Sequence, residues 1–548
     1  MKKIFCFFLS VLSIATLKAQ QSQLQNIAED NGLPGIQLAY TNKGKTTEYN
    51  LGTGKEGLTK QITTNTLFRA GSLGKSVFAY AVLRLCDRGV LSLDTPLMHY
   101  IGTYSRFDMK DPRYSMITAR MVLSHTSGLA EFPQFETGEP VKLLFAPGSS
   151  YAYSGEGYWF LQKVIEKLTG MHFEQVMQEE VFKPLGMHNS TYVQTKEMDI
   201  SVIGPESPDL APMLPNAAFS LLSNAHDYNL FLQALLVGKG LKPATHQRMF
   251  SKQLRKPQGN TDTAKYVNWG LGVGLVQGKN QNLIWHWGKT DDFISLFVAN
   301  PATGQSLVFF TRGPALKVAD QIISLFLGRQ TALTMRPLHF RYDEPDTMAR
   351  LFSALRAQGF GNVPAVFKGL QSKGYQFSEG DINYYGNVLL RNGKNRQALA
   401  IFKQQVAMYP ASANARDSFA AAAESLGDTS LAITNYKQSL KLDTANQSAA
   451  YHIKSLQHPG FTAAQLGAFT GKFTQRGSPQ LYLRFAVKGN VLILTQSWDN
   501  HQLEFFRVDD LEFYNTETTF KLRFEKDKAG SISKAFVATP VEWQKVGE

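Results

Sequence analysis

Cysteine is nearly absent from this chain, with two in 548 residues. Cys6 lies in the amino-terminal apolar run, so after loss of that run Cys86 stands alone and no intramolecular disulfide can form. Cys86 falls on the apolar face of a helical stretch, where a thiol packs rather than reacts. Long apolar runs are equally scarce. Residues 4–17 form one, short of the about 20 residues that a bilayer-spanning helix needs. The histidines are scattered without metal-ligand spacing, so neither a metal nor another cofactor is expected. Acidic residues are in the minority, and the formal charge is +13. The basic residues are nevertheless dispersed, with no aromatic interleaving and no nucleic-acid motif. No nucleic-acid partner is expected; the charge favours solubility or loose attraction to anionic polymers.

What is present begins with Lys2-Lys3, the apolar run Ile4 to Leu17, and Lys18-Ala19-Gln20. That order is the order of a secretory signal peptide over residues 1–19, cleaved after the small Ala19. A lipoprotein would need a cysteine at the cleavage point, and Cys6 sits inside the run. The expectation is an exported chain without stable membrane insertion. Its length suits two or three domains.

Ser72-Leu73-Gly74-Lys75 carries the most chemistry. Leu67 to Gly71 reads as extended or loop-like; Val77, Phe78, Ala81, Val82 and Leu85 then recur at helical spacing up to a stop at Gly89. Residues i and i+3 share a helix face, so the Ser72 hydroxyl and Lys75 amine can meet over the positive end of the helix dipole. A developing oxyanion is stabilised there. A serine at its free pKa is a poor nucleophile, and a desolvated lysine can activate it. Taken alone, the pair also fits an N-cap serine beside a surface lysine. Ala70-Gly71-Ser72-Leu73-Gly74 nearly copies the nucleophile elbow of α/β-hydrolases, but Ala70 stands where a glycine is required.

Two further segments favour the catalytic reading. Tyr153-Ser154-Gly155 lies between the turn Pro147-Gly148-Ser149-Ser150 and an amphipathic helix marked by Tyr158, Leu161, Val164, Ile165, Leu168 and the stop Gly170. Trp285-His286-Trp287-Gly288 lies in a strand-like run. Around them, Gly35 to Tyr40 and Thr46 to Leu51 form a hairpin signal across Asn42-Lys43-Gly44. Strands return at Gly270–Val276, Leu283–Trp287, Ile294–Ala299 and Ser306–Thr311, before a helix near Ala319–Leu327.

At these three points the chain resembles the serine β-lactamase and penicillin-binding-protein superfamily. It is most similar to the branch holding class C β-lactamases, D,D-carboxypeptidases, D-aminopeptidases and β-lactamase-fold esterases. Leu123-Ser124-His125-Thr126-Ser127-Gly128-Leu129, Leu93-Asp94-Thr95-Pro96 and Ser223-Asn224-Ala225-His226-Asp227 match its supporting signatures. The resemblance covers roughly residues 22–335 and implies a multidomain α+β protein whose catalytic domain is an antiparallel sheet flanked by helices. It implies Ser72 as nucleophile, Lys75 and Tyr153 as its proton-transfer network, and the backbone N–H groups of Ser72 and Lys289 as oxyanion hole. Gly288 would keep the strand edge open to substrate, while Gly155 and His286 take substrate-binding positions. His125 and Ser127 belong to a structural segment in the family; Asp227 supports the first turn of a helix. With the signal peptide, the resemblance to bacterial families implies an exported protein, periplasmic or secreted.

Two departures bear on substrate. The family's Tyr-x-Asn reads Tyr153-Ser154-Gly155, without the amide that binds an acylamido group. Its Lys-Thr-Gly reads His286-Trp287-Gly288, replacing a permanent cation by a group mostly neutral at pH 7. Both weaken recognition of a penicillin or a D-Ala-D-Ala terminus. The expected activity is therefore an esterase or D-amino-acid amidase or peptidase, on a small-molecule or short-peptide substrate. A β-lactamase or D,D-carboxypeptidase comes second. A non-catalytic ligand-binding or scaffold protein is the rival from another class.

The last third changes period. Gly386, Gly393, Ala398, Phe402 and Pro410 match tetratricopeptide positions, and adding 34 gives Ala420, Gly427, Ala432, Tyr436 and Thr444. Helical repeats over 345–458, able to hold a protein or peptide partner or to act as a spacer, are expected. From 460 to 548 the alternation has period two, at 481–485, 491–494, 503–506 and 519–524. That segment resembles the small lipocalin-like, barrel-like β domain found after many such hydrolases.

Overall fold

The computed structural model describes residues 18–53, 61–131, 140–194, 215–253, 268–277, 282–290, 293–312, 318–328, 347–457, 463–475, 478–488, 491–497, 502–515, 521–537 and 541–546. Most of the expected signal peptide and the domain limits at 335, 345, 458 and 460 lie outside them. The chain divides into two compact units, Met1–Pro345 and Asp346–Glu548.

In the first unit, β1 (Gly35–Asn42) and β2 (Lys45–Gly52) form the expected hairpin. Its two-residue turn has positive φ at both Lys43 and Gly44, at 50° and 74°. A short pair, β3 (Phe68–Arg69) with β4 (Leu222–Ser223), stands apart. The main sheet is completed by β5 (Asn268–Trp269), β6 (Gly274–Gln277), β7 (Asn282–Lys289), β8 (Phe293–Ala299) and β9 (Ser306–Arg312). Its order is β2-β1-β9-β8-β7-β6-β5, every pair antiparallel. Pairing of β1 with β9 joins the two ends of the unit around the helical insert.

Alternation assigns the faces of β8. Phe293 and Phe297 join one apolar cluster with Val77 and Phe78. Ile294, Leu296 and Val298 join the other, with Leu24, Ile322 and Phe326. The strand is thus buried on both sides. The helix Gly74–Asp87, hereafter the serine helix, is buried along most of its length, and Cys86 packs beside its apolar cluster. Burial pushes that thiol up to about 12.

One strand was expected four residues too early. Gly270–Val273 is a turn, closed by the Gly270 N–H on the Val273 carbonyl at 2.9 Å. The turn is seated on the serine helix: Ser76 Oγ donates to the Gly272 carbonyl at 2.7 Å, and a Cβ at Gly272 would overlap Ala79.

The second unit opens with helices Thr347–Gln358 and Val363–Gln371. Helices Glu379–Arg391 and Asn395–Met408 follow, and the next pair, Ala413–Ser425 and Thr429–Leu442, starts 34 residues later at each position. Gly393 and Gly427 leave the first helix of each pair at φ 67° and 77°. A Cβ at Gly386 would overlap the Phe402 ring, which is why a small residue stands there. After helix Gln447–Gln457 come eight antiparallel strands in a closed barrel: β10 (Gly471–Gln475), β11 (Ser478–Lys488), β12 (Val491–Gln496), β13 (Gln502–Arg507), β14 (Glu512–Tyr514), β15 (Lys521–Lys526), β16 (Ile532–Val537) and β17 (Glu542–Val546). Pairing of β10 with β17 removes both sheet edges. Four of the eight escaped sequence reading, because β14 is three residues long and the others alternate weakly. Helices and barrel fall in one unit; Tyr451 stacks on Tyr514 at 5.3 Å.

Candidate active site

A single helical turn, Gly71–Leu73, leads directly into the serine helix, so Ser72 sits where backbone N–H groups are unpaired within the helix. The expected contact forms: Lys75 Nζ lies 3.0 Å from Ser72 Oγ. Lys75 is fully buried and also donates to the Ala218 carbonyl at 2.7 Å. Its Nζ lies 4.8 Å from the Tyr153 ring centroid and 5.7 Å from that of Tyr158. Burial disfavours the ammonium and lowers its pKa to about 7, with the Glu131 charge resisting.

Tyr153 precedes helix Gly155–Thr169, which Ser154 caps by accepting from the Gly157 N–H at 2.9 Å. Gly155 is the first residue of that helix, and its N–H donates to the Glu131 carbonyl at 3.0 Å. Burial holds the Tyr153 phenol well above its usual pKa, against the pull of the Ser72 hydroxyl. Among the described residues the Tyr153 oxygen has no hydrogen-bond partner, so no bond closes between the two. The lysine lies over the ring face and not at the phenol oxygen, so the arrangement favours a neutral tyrosine.

β7 supplies the opposite wall. The Thr290 N–H donates to the Phe293 carbonyl at 3.0 Å, and strand alternation then turns the Lys289 N–H away from β8. Among the described residues β6 pairs with 282–285 of β7 alone and no strand continues that edge from His286 onward. It faces the nucleophile turn: a Cβ at Gly71 would stand 3.1 Å from the Lys289 nitrogen. The open edge therefore comes from the end of β6, and the role expected of Gly288 is corrected. A side chain at Gly288 would overlap the Ala70 carbonyl and the Ser295 hydroxyl, which are bonded to each other at 2.8 Å. Glycine there lets β7 approach the segment before Ser72. Gly288→Ala is expected to lower stability by about 1–3 kcal/mol and, by moving Lys289, kcat by about tenfold or more. Urea denaturation and ester turnover measure the two; an unchanged kcat would place the oxyanion elsewhere.

His286 is fully buried, and its Nδ1 lies 2.7 Å from the Trp287 carbonyl oxygen. Burial and the nearby Lys75 charge lower its pKa to about 3. The imidazole lies beside Tyr153, at a ring-centroid distance of 6.2 Å.

Sequence reading missed Ala218, Trp269 and Glu131, and kept His125 as structural. His125 has φ 56°, stacks on Tyr153 at 4.2 Å and accepts the Ser154 N–H at 3.0 Å through Nδ1. The mark of this cluster in sequence is only the density of aromatics at 151–153, 269 and 285–287. Asn224 caps the helix Ala225–Val237, while Asp227 accepts from Asn189 N–H and Ser190 Oγ at 2.8 and 2.9 Å.

The first unit is similar in sequence to known proteins. The model of the family described as "Beta-lactamase" matches residues 21–324. Penicillin-binding protein 4 of Amycolatopsis lactamdurans is 27% identical over 324 residues, 54% of this chain and 84% of that protein. Esterase EstB of Burkholderia gladioli is 30% identical over 158 residues, 24% of this chain and 40% of the esterase. The solved structure of the D-alanine carboxypeptidase AmpC from Burkholderia cenocepacia superposes with a TM-score of 0.49 and 16% identity, over 58% of this chain and all of that one.

Proposed function

Because this chain belongs to the β-lactamase family and is a serine hydrolase of that fold, we propose that it works through an acyl-enzyme on Ser72 and acts on simple esters or D-amino-acid amides. The contact of Ser72 with a fully buried Lys75 carries this reading. The neutral Lys75 amine takes the Ser72 proton as Oγ bonds to the acyl carbon, and the carbonyl electron pair moves onto oxygen. The Ser72 and Lys289 N–H groups receive that oxyanion. Tyr153 then gives its proton to the leaving group and is reprotonated from the Lys75 ammonium. Water repeats the sequence on the acyl-enzyme. A phenol kept protonated by burial suits this donor role better than that of first base.

Ester or amide chemistry ranks first because position 155 has no side-chain amide and position 286 carries a neutral imidazole. The likeness to an esterase supports the same order. Export to the periplasm or medium, and a tetratricopeptide role in holding a peptide partner, are parts of this proposal that rest on the sequence pattern. The barrel is read as lipocalin-like on the same footing.

A side-by-side assay of short-chain p-nitrophenyl esters, D-amino-acid amides and a chromogenic cephalosporin tests the substrate class. Two missing contacts, each about 1–3 kcal/mol, predict cephalosporin turnover roughly two to four powers of ten below the better of the other two. Cephalosporin turnover above the ester rate would overturn the ranking.

A further inference from the structure

Among the described residues, five buried polar atoms without a hydrogen-bond partner belong to rings that pack on one another: His125 Nε2, Tyr151 Oη, Tyr153 Oη, Trp269 Nε1 and His286 Nε2. Trp269 lies at their centre. Its ring is 5.1 Å from His125, 5.4 Å from His286, 6.0 Å from Tyr151 and 6.1 Å from Tyr153, centroid to centroid. Buried polar atoms as a rule find protein or water partners, so a group of five in one place is informative.

The backbone sets opposite tautomers on the two histidines. His125 Nδ1 receives the Ser154 N–H, which can only donate, so that nitrogen carries no proton. Burial and the Lys75 charge keep the ring neutral, leaving its proton on Nε2. His286 Nδ1 faces the Trp287 carbonyl, which can only accept, so Nδ1 holds the proton and Nε2 is a bare acceptor. The cluster thus offers two fixed donors, His125 Nε2–H and Trp269 Nε1–H. It offers one fixed acceptor, His286 Nε2, and two hydroxyls that can take either part. A water molecule accepts two hydrogen bonds and donates two.

We infer that His125 and Trp269 hold one buried water that donates to His286 Nε2 and to the Tyr153 oxygen, making both of them positioning residues for the Tyr153 proton. The hydration site stands on the orphaned atoms and the tautomers. Only its effect on rate rests on the role proposed for Tyr153.

Three measurements on the full chain test it. A high-resolution crystal structure is expected to show a water within about 3.2 Å of both His125 Nε2 and Trp269 Nε1. Nitrogen-15 NMR of labelled histidines should find the His125 proton on Nε2 and the His286 proton on Nδ1. His125→Asn keeps an acceptor for the Ser154 N–H and suits the positive φ, but removes the Nε2 donor. Trp269→Phe keeps the ring and removes the N–H. Each should lower kcat by about tenfold to a hundredfold at unchanged KM. The double variant should lose no more than the worse single, because both hold the same water. A dry cluster, matching tautomers or additive losses would overturn the inference. If His125→Asn does not fold, Trp269→Phe, the water and the tautomers still decide. Should the acyl-enzyme reading fail, the water and tautomers remain testable while the kinetic effect disappears.

Discussion

A fluorophosphonate is expected to add a single label to the wild-type chain, on the peptide holding Ser72, and none to Ser72→Ala. Ester turnover should fall in that variant by on the order of 10⁴-fold or more, since loss of a serine nucleophile leaves only binding and oxyanion stabilisation. Alanine removes a single oxygen from a half-buried position on a helix anchored by Leu73, Val77 and Phe78, so the fold should persist. Nearby serines make poor substitutes. Ser127 is fully buried, and Ser154 Oγ is committed to the Ala130 carbonyl at 3.0 Å and to its own helix cap. Intact mass and peptide mapping read the result. A label that survives Ser72→Ala would move the nucleophile, and an unlabelled wild type would favour a binding protein.

The pH profile of kcat/KM should show an acid limb near pH 7 that belongs to Lys75. The active form is the neutral amine, present above its pKa of about 7 and lost about tenfold per pH unit below it. At the 10.5 of an ordinary exposed lysine the neutral fraction at pH 7 would be roughly one in three thousand. Burial thus raises the reactive fraction by about a thousandfold. Lys75→Arg keeps a permanent cation and should lose on the order of 10³-fold at pH 7. It should also lose the limb, because arginine does not titrate there. Stopped assays between pH 5 and 9 measure this. A limb unchanged in Lys75→Arg would assign it to another group.

The Ser72–Lys75 contact was legible because a three-residue spacing is a local property of a helix. The Lys43-Gly44 turn, the stop at Gly170 and the 34-residue recurrence were legible for the same reason. Gly288 was misread because its constraint is the Ala70 carbonyl, more than two hundred residues away in sequence. His125 was set aside because its partners, Ser154, Tyr153 and Trp269, come from three separate segments. Four barrel strands were missed: β14 because three residues cannot display a period, and the other three because their alternation is weak.

By itself the sequence determined which residues could do chemistry and the order in which they occur. It also determined the periods of the sheet, the helical hairpins and the barrel alternation. Only the tertiary structure decided what state those residues are in. Lys75 gives up its proton near pH 7 because segments around 153, 158 and 218 close over it, and desolvation is a sum over neighbours that no local pattern contains. The Lys289 N–H reaches an open edge because β6 begins only at Gly274, opposite Trp285, and strand pairing joins residues by register and not by proximity in the chain. The histidine tautomers follow from two backbone groups, one donor and one acceptor, that the fold places against them.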